Sequence, residues 1–232
     1  MIRPERLIFP RRCPICDEII TEESLICSEC ITIPRRVPYP HCMKCSKHID
    51  SENEEYCRDC QKNDKSFLRG VALYEYDSVK DSINSFKNCS RPEYGEFYAA
   101  QIARYLGDEI KDFDADALIP VPLHRSKMLK RGYNQSEVLA KHLSNRLGIP
   151  LINDVLIRCK KTKEQKKLTN LQREKNLRGA FHIVQKGVKL DKVILVDDVY
   201  TTGSTLDEAS KVLLEAGVGK VYFVTIAVGI DR

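Results

Sequence analysis

Four consecutive aliphatic residues at positions 193–196 are followed at once by Asp197 and Asp198. An apolar run of this kind is typical of a strand buried on both faces in a parallel sheet. Because parallel sheets bind ligands at the carboxyl ends of their strands, the two acids are predicted to lie at a ligand site. The sequence therefore predicts an α/β core with a functional edge near residue 198.

The pattern of apolar and polar positions predicts further strands and helices from residue 67 onward. Strands are predicted over residues 69–76, 117–122, 151–158 and 221–228. Helices are predicted over residues 78–87 and 97–110, and over about 136–147 and 206–216. Strands that alternate with helices in this way favour a single parallel sheet.

A small loop rich in hydroxyl groups follows the two acids. It consists of Thr201, Thr202, Gly203, Ser204 and Thr205. Gly203 permits a tight turn, and a helix beginning just after it adds a positive N-terminal end, so the loop is suited to an anion. Carboxylates would repel a phosphate, but they accept hydrogen bonds from sugar hydroxyls, and a 5-phosphorylated ribose satisfies both parts. An ordinary strand-to-helix turn with an Asp cap explains neither the second acid nor the four hydroxyl residues.

A second basic loop is predicted between the strand at 117–122 and the helix near residue 136. It contains Leu123, His124 and Arg131. The order of strand, basic turn and helix places a second anion site at the same sheet edge. The structural alternative is a solvated charged face formed by Arg125, Lys127, Lys130 and Arg131.

Eight of the ten cysteines form four Cys-x-x-Cys pairs before residue 61. The pairs are Cys13 and Cys16, Cys27 and Cys30, Cys42 and Cys45, and Cys57 and Cys60. The last two pairs repeat the first two at offsets of 29 or 30 residues, which indicates an internal repeat. Two such pairs supply the four thiolates of a tetrahedral zinc site, so two structural zinc ions are predicted, one in each repeat.

Spacing alone leaves open how the pairs combine. The first pair could join the third and the second the fourth, instead of combining within each repeat. An iron–sulfur cluster is a further alternative, although the symmetry of the pairs favours two separate tetrahedral sites. Cys89 and Cys159 are left over and are predicted to pack in the core.

Composition divides the chain into two parts, and the net charge of the whole chain says little about nucleic-acid binding. Residues 1–65 are predicted to form the zinc-ribbon-like module and residues 66–232 the α/β domain, because residues 61–66 are polar and lack a periodic pattern. The formal net charge is +5, but eight thiolates and two Zn²⁺ ions together would reduce it to about +1.

Local charge is more informative, because residues 158–178 carry nine Lys or Arg against two Glu. The candidate nucleic-acid contacts in this segment are Lys160, Lys161, Lys163, Lys166, Lys167 and Arg173. A segment of this composition is suited to a lid over pyrophosphate or to a track for a polyanion.

The first twelve residues carry charges and two prolines and have no apolar core, so no secretory signal is predicted. The apolar run at 221–230 is too short to cross a bilayer. We therefore expect a cytoplasmic protein without membrane insertion.

Residues 193–205 resemble the PRPP-binding signature of type I phosphoribosyltransferases, with Tyr200 where an aliphatic residue is usual. The resemblance implies a type I phosphoribosyltransferase-like fold for residues 66–232. It also implies that Asp197 and Asp198 bind the ribose 2′- and 3′-hydroxyls of PRPP, that residues 201–205 bind its 5-phosphate, and that Mg²⁺ accompanies PRPP. The Pro-Val-Pro sequence at 120–122 is similar to that of the amidotransferase members, which assigns the pyrophosphate to Leu123, His124 and Arg131.

The whole set of motifs resembles the ComF family of competence proteins over nearly the full chain. The set comprises the cysteine pairs, Pro-Val-Pro-Leu at 120–123, Arg-Gly-Tyr-Asn-Gln at 131–135, the stretch 165–181 and the loop at 197–203. The resemblance implies a role in natural transformation, in which incoming single-stranded DNA passes inward beside a helicase-like ATPase. The zinc module would be the docking surface for that ATPase.

Two functional hypotheses follow. The first is a DNA-uptake factor that binds single strands and a protein partner and uses the ribose-phosphate pocket as a ligand-sensing or phosphate-holding site. The second is an active phosphoribosyltransferase that uses PRPP and Mg²⁺ with an unidentified acceptor base. The intact pair of acids supports the second, because buried carboxylates at an anion site are costly without a ligand.

Overall fold

The computed structural model describes residues 10–21, 23–159, 177, 179–184 and 189–229. Within these ranges the strands are β1 (Arg69–Glu75), β2 (Ala117–Pro120), β3 (Leu156–Arg158), β4 (Phe181–Ile183), β5 (Lys192–Tyr200) and β6 (Lys220–Val228). The α-helices in the same ranges are α1 (Arg58–Lys62), α2 (Tyr76–Asn88), α3 (Tyr94–Lys111), α4 (Arg125–Arg131), α5 (Gln135–Leu147) and α6 (Ser204–Glu215).

The central sheet consists of four parallel strands in the order β1, β6, β5, β2. The four aliphatic residues at the start of β5 are fully buried, as a central parallel strand requires. Pro120 of β2 lies opposite Val196 of β5, so the carboxyl ends of these strands meet at one edge. The predicted α/β class with a parallel sheet is therefore confirmed.

The sheet has a hydrophobic cluster on each side. Helices α2, α3 and α5 contribute Phe86, Phe97 and Leu139 to the first cluster. Helix α6 contributes Leu206 and Leu213 to the second, together with alternate residues of β5. Burial on both sides explains why the strands are continuous apolar runs and do not alternate with polar residues.

The two cysteine repeats pack against different clusters. Ile15, Leu25 and Ile26 of the first repeat lie against the cluster of α2, α3 and α5. Cys45 and Ile49 of the second repeat are members of the α6 cluster. The boundary at residue 65 stays a prediction.

The link between the repeats pairs with the outer edge of β1. The Val37 amide donates to the Leu73 carbonyl at 3.0 Å, and the Glu75 amide donates to the Arg35 carbonyl at 2.9 Å. Arg36 lies opposite Tyr74 in an antiparallel bridge. Residues 35–37 thus cover a strand edge that would otherwise have unpaired backbone groups.

Several elements differ from the sequence predictions. Strand β5 continues through both acids to Tyr200, and half of the predicted basic loop forms helix α4. Only the last three residues of the predicted strand at 151–158 form β3, which pairs with β4. Cys89 and Cys159 are exposed, so their predicted role in core packing is wrong.

Candidate functional site

Asp198 is held by two side chains from neighbouring helices. It is 5% exposed, and its carboxylate forms an ion pair with Lys87 of α2. Gln135 Nε2, in the first residue of α5, donates to Asp198 Oδ1 at 2.8 Å. Burial alone would raise the pKa of Asp198, but Lys87 and these hydrogen bonds lower it below the ordinary value. Asp198 is therefore an ionised carboxylate.

Asp197 has different surroundings. Its Oδ1 accepts hydrogen bonds from Ser136 Oγ at 3.0 Å and from the Asp198 amide at 2.9 Å. Burial, and then the charge of Asp198, raise the pKa of Asp197 to about 7. Two adjacent acids at one sheet edge thus have separated pKa values, and Asp197 exchanges a proton near neutral pH.

The hydroxyl-rich loop follows β5 directly. Gly203 adopts a left-handed backbone with φ of 73° and precedes the first residue of α6. Thr202 Oγ1 and Ser204 Oγ lie 2.8 Å apart. The amides at the start of a helix and hydroxyls beside them are together suited to binding an anion.

The predicted pyrophosphate residues lie around α4. The His124 side chain caps this helix, accepting from the Ser126 amide at 3.2 Å. Arg131, at its end, donates to Gln135 Oε1, which continues the contact to Asp198. Burial lowers the pKa of Arg131, partly offset by Asp198. Leu123 and His124 directly precede the helix and are half-buried. The residues predicted to bind pyrophosphate thus flank a short helix, where the sequence predicted a loop.

Three residues of this site are not among those predicted from the sequence. Gln135 and Ser136 begin α5, where Asn134 accepts from the Ser136 amide at 3.2 Å as an N-cap. The Asn cap was an available signal for these two positions. Lys87 gave no signal, because a lysine near the end of an amphipathic helix resembles a solvated residue.

The predicted DNA-contacting residues Lys160, Lys161, Lys163, Lys166, Lys167 and Arg173 lie outside the described residues.

The eight paired cysteines form two clusters. One contains Cys13, Cys16, Cys27 and Cys30, and the other contains Cys42, Cys45, Cys57 and Cys60. The pairs therefore combine within each repeat, and the interleaved alternative is wrong. In each cluster the sulfur atoms lie within 4.8 Å of one another. The Sγ atoms of Cys16 and Cys27 are 3.8 Å apart, and those of Cys45 and Cys57 are 3.6 Å apart. Both distances are close to the sulfur–sulfur spacing of about 3.8 Å in a tetrahedral zinc–thiolate site.

The clusters fit zinc, which supplies folding energy when four thiolates close a tetrahedron. The second cluster is the more deeply buried. Cys42, Cys45 and Cys57 are all buried, whereas Cys16 of the first cluster is exposed. Asp17, which follows Cys16, accepts from Tyr94 in the first turn of α3 and from Arg91, just before that helix, at 2.8 Å.

Within the described residues, none of the helices combines the length and the apolar character needed to cross a bilayer.

Comparisons with known proteins identify both parts of the chain. Residues 5–61 match the double zinc ribbon domain, and residues 134–232 match the phosphoribosyl transferase domain. The second match agrees with the parallel sheet and confirms the predicted type I phosphoribosyltransferase-like core. The first match and the two clusters support the predicted pair of four-cysteine zinc sites.

Relatives match over most of their length. Competence protein F of Haemophilus influenzae is 32% identical over 194 residues, covering 79% of this chain and 82% of that protein. Competence protein ComFC of Streptococcus pneumoniae is 28% identical over 207 residues, covering 86% of each. DNA utilization protein YhgH of Escherichia coli K12 is 26% identical over 217 residues, covering 90% of this chain and 86% of that protein. With its zinc ribbons and its transferase-like core, the chain belongs to the ComF family of competence proteins.

Proposed function

We propose that this protein is a cytoplasmic DNA-uptake factor that binds single-stranded DNA and a helicase-like ATPase and carries a pocket for PRPP or another ribose 5-phosphate. The names of its relatives, competence protein and DNA utilization protein, support the general role. The pocket is supported by one observation above all, which is the pair of acids beside the hydroxyl-rich loop that begins α6.

Each part of a ribose phosphate has a matching group in the pocket. The 5-phosphate fits the amides and hydroxyls of residues 201–205. Ribose hydroxyls would donate to Asp197, whose pKa near 7 allows it to ionise when a donor arrives, and to Asp198, where they compete with Lys87. His124 and Arg131 are assigned to the pyrophosphate of PRPP. Mg²⁺ bound with PRPP would neutralise part of that charge.

An active phosphoribosyltransferase is the alternative function for the same pocket. In that reaction the bond between the anomeric carbon and the pyrophosphate oxygen breaks. A new bond forms between the anomeric carbon and the acceptor base, and pyrophosphate leaves. Asp197 and Asp198 would position the ribose, and Arg131 would stabilise the leaving pyrophosphate. Release of pyrophosphate when Mg²⁺, PRPP and nucleobases are supplied would favour turnover, whereas binding without release favours a sensing role.

The pocket is tested by titrating ribose 5-phosphate and Mg²⁺–PRPP into the protein by calorimetry. We expect the double variant Asp197→Asn/Asp198→Asn to bind at least about thirtyfold more weakly, because hydrogen bonds to charged groups are worth about 1.5–3 kcal/mol each. The matched control is Asp108→Asn/Asp112→Asn, two exposed acids in the last turn of α3 and directly after it, and it should bind as the wild type does. Unchanged binding by the first variant would refute the pocket assignment.

The zinc module is proposed as the docking surface for the ATPase. Six large apolar side chains are exposed on the described residues of this module: Ile19, Ile31, Ile33, Tyr39, Met43 and Tyr56. They make up half of the exposed large apolar residues in the described part of the chain, although the module is much the smaller part. Exposed apolar residues concentrated on one module favour a protein partner.

Single-stranded DNA is proposed to contact two regions, the basic segment at 158–178 and a cavity beside the zinc module. The cavity has a volume of about 520 Å³, and Arg36, Tyr39, His41 and Tyr105 line it. The Arg36 guanidinium lies 4.4 Å from the centre of the Tyr105 ring, and Tyr39 is 74% exposed. Aromatic rings beside arginine are suited to stacked bases with adjacent phosphates.

Replacing Tyr39 by alanine is expected to weaken binding of a single-stranded oligonucleotide about tenfold, since stacking is worth about 1–3 kcal/mol per base. Fluorescence anisotropy at fixed salt measures the change. Tyr56→Ala is the matched control, because Tyr56 is also exposed on the zinc module but does not line the cavity. Equal losses in both variants, or none in either, would exclude the cavity as a base site.

A further inference from the structure

The ion pair between Lys87 and Asp198 connects the end of α2 to an acid of the pocket. Lys87 is in the last turn of α2, and its side chain is 26% exposed, whereas that of Asp198 is 7% exposed. A lysine at this end of a helix commonly interacts with the helix dipole from solvent. Lys87 instead follows the buried Ile83 by four positions, so it lies toward the inner face of the helix. The Tyr133 hydroxyl donates to the Phe86 carbonyl, which holds the same end of α2 beside the pocket.

Asp198 connects two cations of the pocket. Its Oδ2 pairs with Lys87, and its Oδ1 accepts from Gln135 Nε2 at 2.8 Å. Gln135 accepts in turn from Arg131 through Oε1. The ammonium group thus contacts the carboxylate directly, and the guanidinium reaches it through a single amide. A lysine and an arginine that converge in this way can bind the oxygens of one phosphate-containing group.

The residues assigned to pyrophosphate include one permanent cation. Leu123 is apolar, and His124 Nδ1 accepts from the Ser126 amide at 3.2 Å, so this nitrogen has no proton to donate to an anion. Arg131 is the permanent cation among the three. Because a pyrophosphate group carries several negative charges at neutral pH, a second fixed cation would stabilise it further. Lys87 is the cation that the contacts of Asp198 place nearest to this role.

We propose that Lys87 is an exchangeable cation, which pairs with Asp198 while the ribose site is empty and binds the pyrophosphate group of the ligand once sugar hydroxyls occupy that carboxylate. This inference deepens the proposed function and rests on it for the identity of the ligand. In the free protein Lys87 compensates a buried charge that would be costly alone. When ribose hydroxyls replace the ammonium group, Lys87 becomes available to the phosphate oxygens. Ribose and pyrophosphate therefore bind cooperatively, because one frees the cation that the other uses.

The substitution Asp198→Asn tests the exchange without any sugar, because it removes the charge that holds Lys87. Inorganic pyrophosphate is titrated by calorimetry at physiological ionic strength without Mg²⁺. We expect Asp198→Asn to bind pyrophosphate more tightly than the wild type. Adding Lys87→Met to Asp198→Asn should weaken binding at least about tenfold, since hydrogen bonds to charged groups are worth that factor or more.

The matched control adds Lys80→Met to Asp198→Asn. Lys80 lies on the same helix but is exposed, so screening by salt should keep its effect on pyrophosphate affinity below about twofold. If Asp198→Asn/Lys87→Met bound pyrophosphate as Asp198→Asn does, Lys87 would be a structural partner of Asp198 only, and the proposal would be wrong. Equal losses from both lysine substitutions, or no gain in Asp198→Asn, would also overturn it.

A second measurement uses the wild-type protein, so it does not depend on the stability of the variants. Acylation of lysine side chains by a water-soluble succinimidyl ester is followed by mass spectrometry, with Lys80 as the internal reference. We expect ribose 5-phosphate to raise the acylation rate of Lys87, and pyrophosphate added afterwards to lower it again. A Lys87 rate that ignores both ligands, while calorimetry shows that ribose 5-phosphate binds, would overturn the exchange. Absence of ribose 5-phosphate binding would refute the proposed pocket, whereas the pyrophosphate titrations would still decide whether Lys87 binds the anion.

Discussion

Replacing Gly203 by alanine is expected to reduce binding of ribose 5-phosphate by at least about a hundredfold, which corresponds to about 2.7 kcal/mol. Gly203 has φ of 73°, where an L residue is strained by about 1–2 kcal/mol. The added Cβ would also lie 2.6–2.9 Å from atoms of Tyr200. Tyr200 is buried and its ring packs against both Phe67 and Phe223, so we expect the loop to move instead of the ring. Calorimetric titration measures the loss of affinity for ribose 5-phosphate, and thermal unfolding measures the loss of stability.

Gly148→Ala provides the matched control for this prediction. Gly148 has φ of 74°, nearly that of Gly203, but apart from its chain neighbours no atom of the described residues lies within 4 Å of the position of its Cβ. This variant should lose about 1 kcal/mol of stability from backbone strain alone and keep its affinity for ribose 5-phosphate. If Gly203→Ala bound the ligand as well as Gly148→Ala, the loop at 201–205 would not be the phosphate site.

Replacing Asp197 by asparagine is expected to stabilise the free protein at pH 8. The folded pKa of Asp197 is about 7, above its ordinary value of 3.8, so between these values the folded chain holds a proton that the unfolded chain has lost. Raising the pH through this range therefore favours unfolding of the wild type. A shift of one pKa unit corresponds to about 1.4 kcal/mol. The free energy of unfolding of the variant should therefore exceed that of the wild type by at most roughly 4 kcal/mol at pH 8, and the two values should agree near pH 4. Urea unfolding at several pH values measures it.

Asp198→Asn should show the opposite sign. The pKa of Asp198 is lowered in the folded protein, so this carboxylate contributes stability above its ordinary pKa and loses that contribution as the pH falls below it. The variant also leaves Lys87 without its partner, and we expect a loss of about 1–3 kcal/mol at pH 8. If both variants changed stability in the same direction at pH 8, the separation of the two pKa values would be wrong.

The sequence predicted the parts of this protein whose chemistry is local. The cysteine spacing specified two clusters, because a Cys-x-x-Cys pair can supply two ligands from one turn whatever the rest of the chain does. The acids and the loop at 201–205 are contiguous, so their proximity followed from one strand and one turn. Spacing could not decide between sequential and interleaved cysteine pairs, since that choice depends on how the repeats pack.

The remaining features depend on contacts between distant segments. Lys87 and Asp198 are more than a hundred positions apart, and the sheet brings α2 to the end of β5. Helix α4 was missed because its exposed basic residues carry no apolar period, and the His124 cap that begins it is an unusual choice for a helix N-terminus. Tyr200 could be recognised as unusual from the sequence, but its packing against Phe67 and Phe223 could not.

The pairing of residues 35–37 with β1 has a consequence for how the two halves of the chain can separate. Pulling the ribbons away would leave a row of amides and carbonyls along β1 open to any other extended peptide. The ribbons thus protect the core from adhesion to other chains as well as holding metal. A partner that displaced residues 35–37 would therefore also expose the edge strand β1 of the sheet.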